Sequence, residues 1–517
     1  MNWDWNRLSS PSGSMMEAAA ERVMALGVKG CSRPRRRYPD GREMQRRGNI
    51  RTLLSAAVAL AGCFEPRAAM ADDQVSTDAG RPVLQADRWR EDWSSLAEPD
   101  KRTRALDGLK YISLSDSDPD RYLSFGLTLR EILESSDAPA LGTVAAIPSD
   151  AYGLHRAQVH ADVRLGAGWQ GFVQVEDVRA FDKKVVSSID ANALDLRLAF
   201  LGYARPLGRG VLKVRVGRQD IAFDLQRFMS SRDGPNVRQS FDAVWAGWET
   251  ARWRVYAMVS QPVEYRNREH FDDTSSGDVR FSGIRLERQA WGNGELTGYY
   301  ALYQRKQAAY LEAFGEEDRQ VVDVRFVGTR APFDWDVEAM GQFGRVGRAD
   351  ISAWALGARL GYSSIGTPGS PRIGLQFDVA SGDRHAHDGR AETLYPLFPN
   401  GFYFSLGGHT GYANLIHLKP SVSIIPRADT TLTAGIGALW RQTTNDAVYT
   451  LPFVPVAGMA GRGGSWTGAY AQLRAERRFT PALSSSIEVV RYTVGAALRA
   501  AGAHDSDYVR LETKFAW

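Results

Sequence analysis

Long hydrophobic runs are missing from this chain. No apolar stretch approaches the roughly 18–20 residues that a membrane-spanning helix needs. The longest, residues 53–63, is too short. Thiols are scarce as well. The cysteines of the 517 residues are Cys31 and Cys63. Beyond residue 63 the chain therefore has neither a disulfide frame nor a cysteine metal site. The signatures of common enzyme chemistry are also absent. There is no G-x-S-x-G nucleophile elbow, and Gly463-Gly464-Ser465-Trp466 does not fit one. No P-loop or dinucleotide fingerprint occurs. The sequence thus assigns no catalytic residue and no cofactor.

The short apolar run has its own explanation. Met44-Gln45-Arg46-Arg47 and Arg51 form a basic segment, residues 53–62 an apolar one, and Ala69-Met70-Ala71 a small-x-small cleavage site. That order is a secretion signal, with cleavage expected after Ala71. Residues 1–43 then read as an upstream extension, from a start set at Met1 rather than Met44. A competing cleavage is also readable. Leu60-Ala61-Gly62-Cys63 has the form of a lipoprotein signal, in which Cys63 would carry the lipid. Residues 1–71 hold much of the basic charge. Without them, 52 of the 64 basic and 54 of the 60 acidic residues remain, a formal −2. The positive balance of the whole chain is therefore no argument for a nucleic-acid partner.

What the chain does have is alternation. At the C-terminus Val509, Leu511, Thr513, Phe515 and Trp517 fall on one face of a strand, and Tyr508, Arg510, Glu512 and Lys514 on the other. Leu123, Phe125, Leu127 and Leu129 oppose Ser124, Gly126, Thr128 and Arg130 in the same way. Ala157, Val159, Ala161, Val163 and Leu165 oppose Arg156, Gln158, His160, Asp162 and Arg164. About eighteen such segments follow one another, the signature of a transmembrane β-barrel. Their starts are expected near Tyr122, Arg156, Trp169, Leu194, Val211, Phe241, Arg252, Val279, Glu295, Val321, Phe333, Ile351, Arg372, Asn414, Thr430, Trp466, Leu483 and Tyr508. Short links, such as Gly166-Ala167-Gly168 and Gly292-Asn293-Gly294, alternate with long ones at 135–149, 219–239, 261–277, 383–410 and 441–464. Residues 363–370 form a medium turn. Short turns on one side and long loops on the other are the asymmetry of outer-membrane barrels. Strands with unpaired amides cannot sit in hydrocarbon, so the set must close. The expected fold is all-β, an 18-stranded antiparallel barrel of outer-membrane porin type over residues 121–517, preceded by a polar periplasmic arm at 72–120. Trp169, Tyr203, Trp253, Trp440, Trp466, Phe515 and Trp517 suit the girdles at the two interfaces with lipid.

The inward faces are rich in arginine. Arg130, Arg156, Arg164, Arg197, Arg215, Arg359 and Arg474 are the pore candidates, with Arg285, Arg325, Arg510, Lys213, Lys419 and Lys514 on the same face. Carboxylates interleave: Asp162, Glu176, Asp195, Glu287, Asp323, Asp378, Glu476 and Glu512. Singly, each pair is a ladder that solvates the wall. Collectively, guanidinium forks match carboxylate oxygens and favour anionic solutes, while the interleaved acids help a polyanion to move on. His385, His387 and Asp388 are weak candidates for a divalent ion. The cluster reads first as a solvated loop, so no metal is assigned.

One stretch is the most specific. It runs Gly217-Arg218-Gln219-Asp220, Arg227, Arg232-Asp233-Gly234-Pro235-Asn236-Val237-Arg238 and Phe241-Asp242. It resembles the alginate export porin family of Gram-negative outer membranes. Leu109-Lys110-Tyr111-Ile112, Gln174-Val175-Glu176-Asp177-Val178, Ser381-Gly382-Asp383, Leu397-Phe398-Pro399 and Asn414-Leu415 agree with it, so the resemblance runs from about Arg88 to the C-terminus. It implies a monomeric barrel whose electropositive constriction passes a polyuronate outward. It also implies pore-loop roles for Arg218, Arg227, Arg232, Asp233 and Arg238. Leu127 departs from the family's glycine in the first strand. The expected function is a passive outer-membrane porin for an anionic polysaccharide or sugar acids. A general anion or small-solute porin is the alternative, and an outer-membrane hydrolytic enzyme a lesser one. Expected partners are that solute, outer-membrane lipid and the barrel-assembly machinery, which would read the strand ending at Trp517.

Overall fold

The protein is described by a computed structural model over residues 82–143, 149–289, 294–364 and 366–517. The signal segment, Cys31, Cys63 and the Gly292-Asn293 turn lie outside the described residues. Eighteen strands form the wall: β1 Arg121–Ser136, β2 Asp150–Gly166, β3 Trp169–Phe181, β4 Asn192–Leu207, β5 Gly210–Gln219, β6 Phe241–Glu249, β7 Trp253–Glu264, β8 Val279–Gln289, β9 Glu295–Ala309, β10 Phe314–Arg330, β11 Phe333–Val346, β12 Ala349–Ser363, β13 Arg372–Ala380, β14 Leu415–Arg427, β15 Thr430–Trp440, β16 Trp466–Thr480, β17 Leu483–Val494 and β18 Ser506–Ala516. Each pairs antiparallel with the next. The seam closes where β18 pairs with β1, from Thr128↔Ala516 to Ser136↔Tyr508. Leu127 and Trp517 exchange both backbone hydrogen bonds at 2.8 Å and extend that seam.

Two strands start well before their expected positions, β2 at Asp150 and β10 at Phe314. Their extra residues include Asp150, Glu316, Glu317 and Asp318 and rise at the long-loop end, where no lipid imposes alternation. The short turns lie at one end, as expected. Two links at the opposite end are also short, residues 310–313 and 347–348, so no long loop stands beside β10, β11 and β12 at that end.

Burial follows the alternation. Val259, Ile373 and Ile436 are 66%, 61% and 62% exposed on the outer face. Such an apolar belt has no place on a water-soluble surface. Rings pair at the belt's edge, Trp169 with Tyr203 at 4.5 Å and Trp440 with Trp466 at 5.1 Å. Trp517 departs from its expected lipid-facing place. Its ring centroid lies 4.4 Å from Lys110 Nζ and its backbone oxygen accepts from Arg88, so the last residue is engaged by the arm.

The interior is filled from both ends. Residues 82–113 of the arm lie against the inner wall near the short turns. Trp89 packs with Phe172, Leu198 and Phe200, and Trp93 with Leu96, Tyr111 and Tyr122. These aromatic surfaces leave water by entering the barrel mouth. Polar contacts fix the arm: Arg88 Nη2 donates to Trp517 O at 2.9 Å, Gln170 Nε2 to Trp89 O at 2.8 Å and Lys110 Nζ to Phe125 O at 2.8 Å.

Candidate functional site

The link between β5 and β6, residues 220–240, turns into the lumen. Its sequence has no period two, and Asp224, Gln226 and Arg232 take positive φ, so it cannot extend the sheet. It forms an inner loop anchored on opposite walls. On one wall Asp233 is the keystone. Arg156 Nη2 lies 2.6 Å from Asp233 Oδ1, Arg238 Nε 3.5 Å from the same oxygen, and Lys514 Nζ 3.3 Å from Oδ2. Arg130 donates to Asp233 O at 2.6 Å and Gly234 O at 3.0 Å. Burial alone would raise the Asp233 carboxyl. The charges of Lys514, Arg156, Arg238 and Arg130 outweigh it and hold the group well below the usual carboxylate range. A Cβ at Gly234 would sit 2.0 Å from the Phe402 ring, so only glycine lets the loop pass there.

On the other wall Asp224 takes both ends of the Arg285 fork, at 2.6 and 2.7 Å, and Arg325 Nη1 at 2.7 Å. Burial opposes its charge, but Arg285 and Arg325 prevail and lower its pKa. Arg227 reaches the wall beyond, pairing with Glu338 and lying 3.6 Å from Asp378. Its Nε donates to Tyr403 Oη at 2.6 Å. Gly357 on β12 makes room for it, since a Cβ there would lie 2.6 Å from Arg227 Nε. The loop from β13 to β14, residues 381–414, covers the inner loop from the other side. Ser230 N donates to Phe398 O at 2.9 Å, and Phe398 N to Phe228 O at 3.0 Å.

Between the inner loop and the arm lies a cavity of about 660 Å³, lined by Arg156, Arg215, Arg238, Arg474 and Lys514 and by Asp87, Asp224 and Glu476. The sequence candidates separate by position. Arg130, Arg156, Arg197, Arg227, Asp233 and Arg238 meet around the inner loop, with Arg197 paired to Asp220. Arg215 and Arg474 face the cavity. Arg164 is occupied by Asp162 and by the arm, donating to Trp89 O at 3.0 Å and Glu91 O at 2.9 Å. Arg218 pairs with Asp242 at 3.0 Å at the loop's root. Arg232 sits over Phe398, and Arg359 over Tyr403 at 4.7 Å. Most of these guanidinium groups are therefore already neutralised. Among the described residues Arg215, Arg232 and Arg359 form no ion pair with a carboxylate. Arg215 lies 4.1 Å from the Trp89 ring with Nε and Nη1 unpartnered.

The His385-Ala386-His387-Asp388 segment is exposed, with His387 Nδ1 3.4 Å from Glu312 as its one ion pair among the described residues. No metal-sized cluster forms there among those residues. Sequence reasoning missed Asp224, because its partners Arg285 and Arg325 lie far along the chain. It also missed the arm's place in the lumen. The signal for the arm was available: Trp89, Trp93 and Tyr111 are too apolar for a solvated tail.

The alginate export family matches residues 121–512. Solved structures share the fold at low identity. The outer membrane protein OpdK from Pseudomonas aeruginosa aligns with TM-score 0.52 and 10% identity, over 76% of this chain and 98% of that one. OccAB3 from Acinetobacter baumannii aligns with TM-score 0.51 and 10% identity, over 76% and 99%. Among curated proteins the chain has no match.

Proposed function

Since this chain belongs to the alginate export family, and its barrel is of the outer-membrane porin type, we propose that it conducts an anionic polysaccharide of the polyuronate class, or sugar acids, by passive diffusion. The observation that carries this reading is Asp233. One carboxylate sits among Arg156, Arg238 and Lys514, with Arg130 on its backbone oxygen. A uronate carboxylate arriving at the constriction meets the same donors, and Arg forks accept carboxylates in bidentate geometry. Arg215 at the cavity and Arg359 beside Tyr403 supply charge that no carboxylate neutralises. A solute exchanges one set of cations for the next, so binding stays weak enough for release.

The family and the fold are of transport type. Planar-bilayer recording of the purified barrel tests the reading. Anion preference and a concentration-dependent block by soluble oligouronate are expected. Cation preference, or conductance indifferent to oligouronate, would sink it. Block by monomeric uronate with a weaker effect of the oligomer would restrict the solute to sugar acids.

A further inference from the structure

One face of the luminal wall stays open. Polar side chains that face the lumen are mostly buried, as Ser124, Gln158 and Thr297 are. On β12 to β16, Arg359, Lys419, Ser421, Ser423, Thr433 and Gln472 are only half-buried. Their side of the wall is fixed by their neighbours. Val422 and Ile436 stand exposed on the lipid side, whereas Lys419 Nζ donates to Phe404 O of the 381–414 loop at 2.8 Å. The arm's Trp89 and Trp93 pack on β1, β3 and β4, and β13 lies opposite β4 in the closed barrel.

The register sets these residues in two rows. Arg359, Gln376 and Lys419 stand side by side on β12, β13 and β14. Nearer the short-turn end, Arg372, Ser423, Thr433 and Arg474 stand side by side on β13 to β16. Ser421 and Gln472 lie between the rows, and Gly435 between those two adds no side chain.

Charge is uneven across this face. Arg372 is paired with Asp334, and Arg474 with Glu476 and Glu488. Among the described residues Arg359 and Lys419 form no ion pair, and Arg359 Nε is buried without a hydrogen-bond partner. The Ser423 and Thr433 hydroxyls likewise have no protein partner among those residues. Two half-buried cations without a counter-ion are costly to hold, and an arriving carboxylate removes that cost.

We infer that this face is a binding site for a hydroxylated carboxylate, the pair of functions that a uronate ring carries. Arg359 and Lys419 take the carboxylate. Ser423 and Thr433, with Ser421 beside them, take ring hydroxyls, since each hydroxyl both donates and accepts. The inference rests on the conduction proposed above and names where the solute is recognised as a sugar rather than as a charge. From β12 to β16 the site spans roughly 19 Å, at about 4.8 Å between strands, which is room for several linked rings. One end is Arg372, where β13 begins. The other is Arg474, which lines the cavity. The site therefore joins the short-turn end to the cavity along one wall.

Planar-bilayer recording tests it by comparing block by oligouronate with block by oligoglutamate of equal charge, which has the carboxylates and no ring hydroxyls. The parent should be blocked more tightly by oligouronate. Ser423→Ala with Thr433→Val should weaken the oligouronate block about tenfold, the loss of two neutral hydrogen bonds, and leave the oligoglutamate block as in the parent. Lys419→Gln should weaken both. Folding of each variant is checked by heat-modifiable migration on gels, and if Lys419→Gln does not fold, the hydroxyl pair decides. Equal block by the two anions in the parent would overturn the site and leave anion conduction standing. So would a hydroxyl-pair variant that keeps the parent's preference or weakens both blocks alike. A parent that oligouronate does not block would overturn the conduction and the site with it.

Discussion

Arg215 and Arg359 differ from most luminal arginines in having no carboxylate to neutralise them, and that difference sets what their loss should do. Removing either leaves no acid orphaned, so Arg215→Ala and Arg359→Ala should assemble normally. Each should weaken oligouronate block roughly tenfold, the value of one charge-assisted hydrogen bond. An unchanged block constant in both variants would move the solute path elsewhere. Arg227 is the opposite case. It is 1% exposed and paired with Glu338. Arg227→Met should cost about 3–5 kcal/mol by stranding buried acids, read as a lower temperature for loss of the compact gel form. A third residue makes the outer loops sensitive to pH. Burial, aided by Glu312, Asp446 and Glu392, pushes Asp383 up to about 6. The folded state thus holds this proton more tightly than the unfolded chain does. Stability at this group is gained as pH falls from about 6 towards 4 and lost as pH rises through 6. The contact of Asp383 N with Asp446 at 3.0 Å should therefore tighten in acid. Channel noise should fall between pH 7 and pH 5, and Asp383→Asn should be quiet throughout that range.

The elements that carry these residues were legible in unequal measure. Strands were readable because the lipid–water boundary imposes a local rule, period two, on each one. Hence β3, β8, β9 and β18 lie where alternation puts them. The inner loop was recognisable only as a motif. Its acids and arginines were visible, but not that Asp224 would be caught by Arg285 and Arg325, since no spacing rule links residues on a loop to a wall reached through several hairpins. The arm carried a readable apolar signal, Trp89 and Trp93, masked by the polar residues around it. As an element the arm is now the floor of the cavity, and its removal is informative. Deleting residues 82–105 should raise single-channel conductance severalfold, because it removes Trp89 and its neighbours from the lining of the cavity. It should leave the seam intact, since Lys110 and the Ile112–Ser113 pairing with β1 are kept. Equal conductance with and without the arm would mean that ions already bypass Trp89.

For the molecule as a whole, a wall of this size with a filled lumen has to open inside itself. The wall cannot flex, because its strands are hydrogen-bonded into one closed sheet. The movable parts are the inner loop and the loop at 381–414, which meet at a parallel bridge between Met229 and Phe398. Charge favours motion of the first as a unit. Asp224 and Asp233 are held by cations that a polyuronate can also engage, so an entering solute replaces the loop's carboxylates and leaves no guanidinium bare. The displacement is then nearly balanced in free energy, as a passive pore requires. The described chain contains no cysteine, so a single engineered pair can lock the two loops together. Met229→Cys with Phe398→Cys should form a disulfide across the bridge. Oxidised channels should conduct little and reject oligouronate, and a thiol reductant should restore both within the same recording. If the oxidised channel passes oligouronate as the reduced one does, the loops need not part. The path would then run beside β10, β11 and β12, where no long loop covers the end.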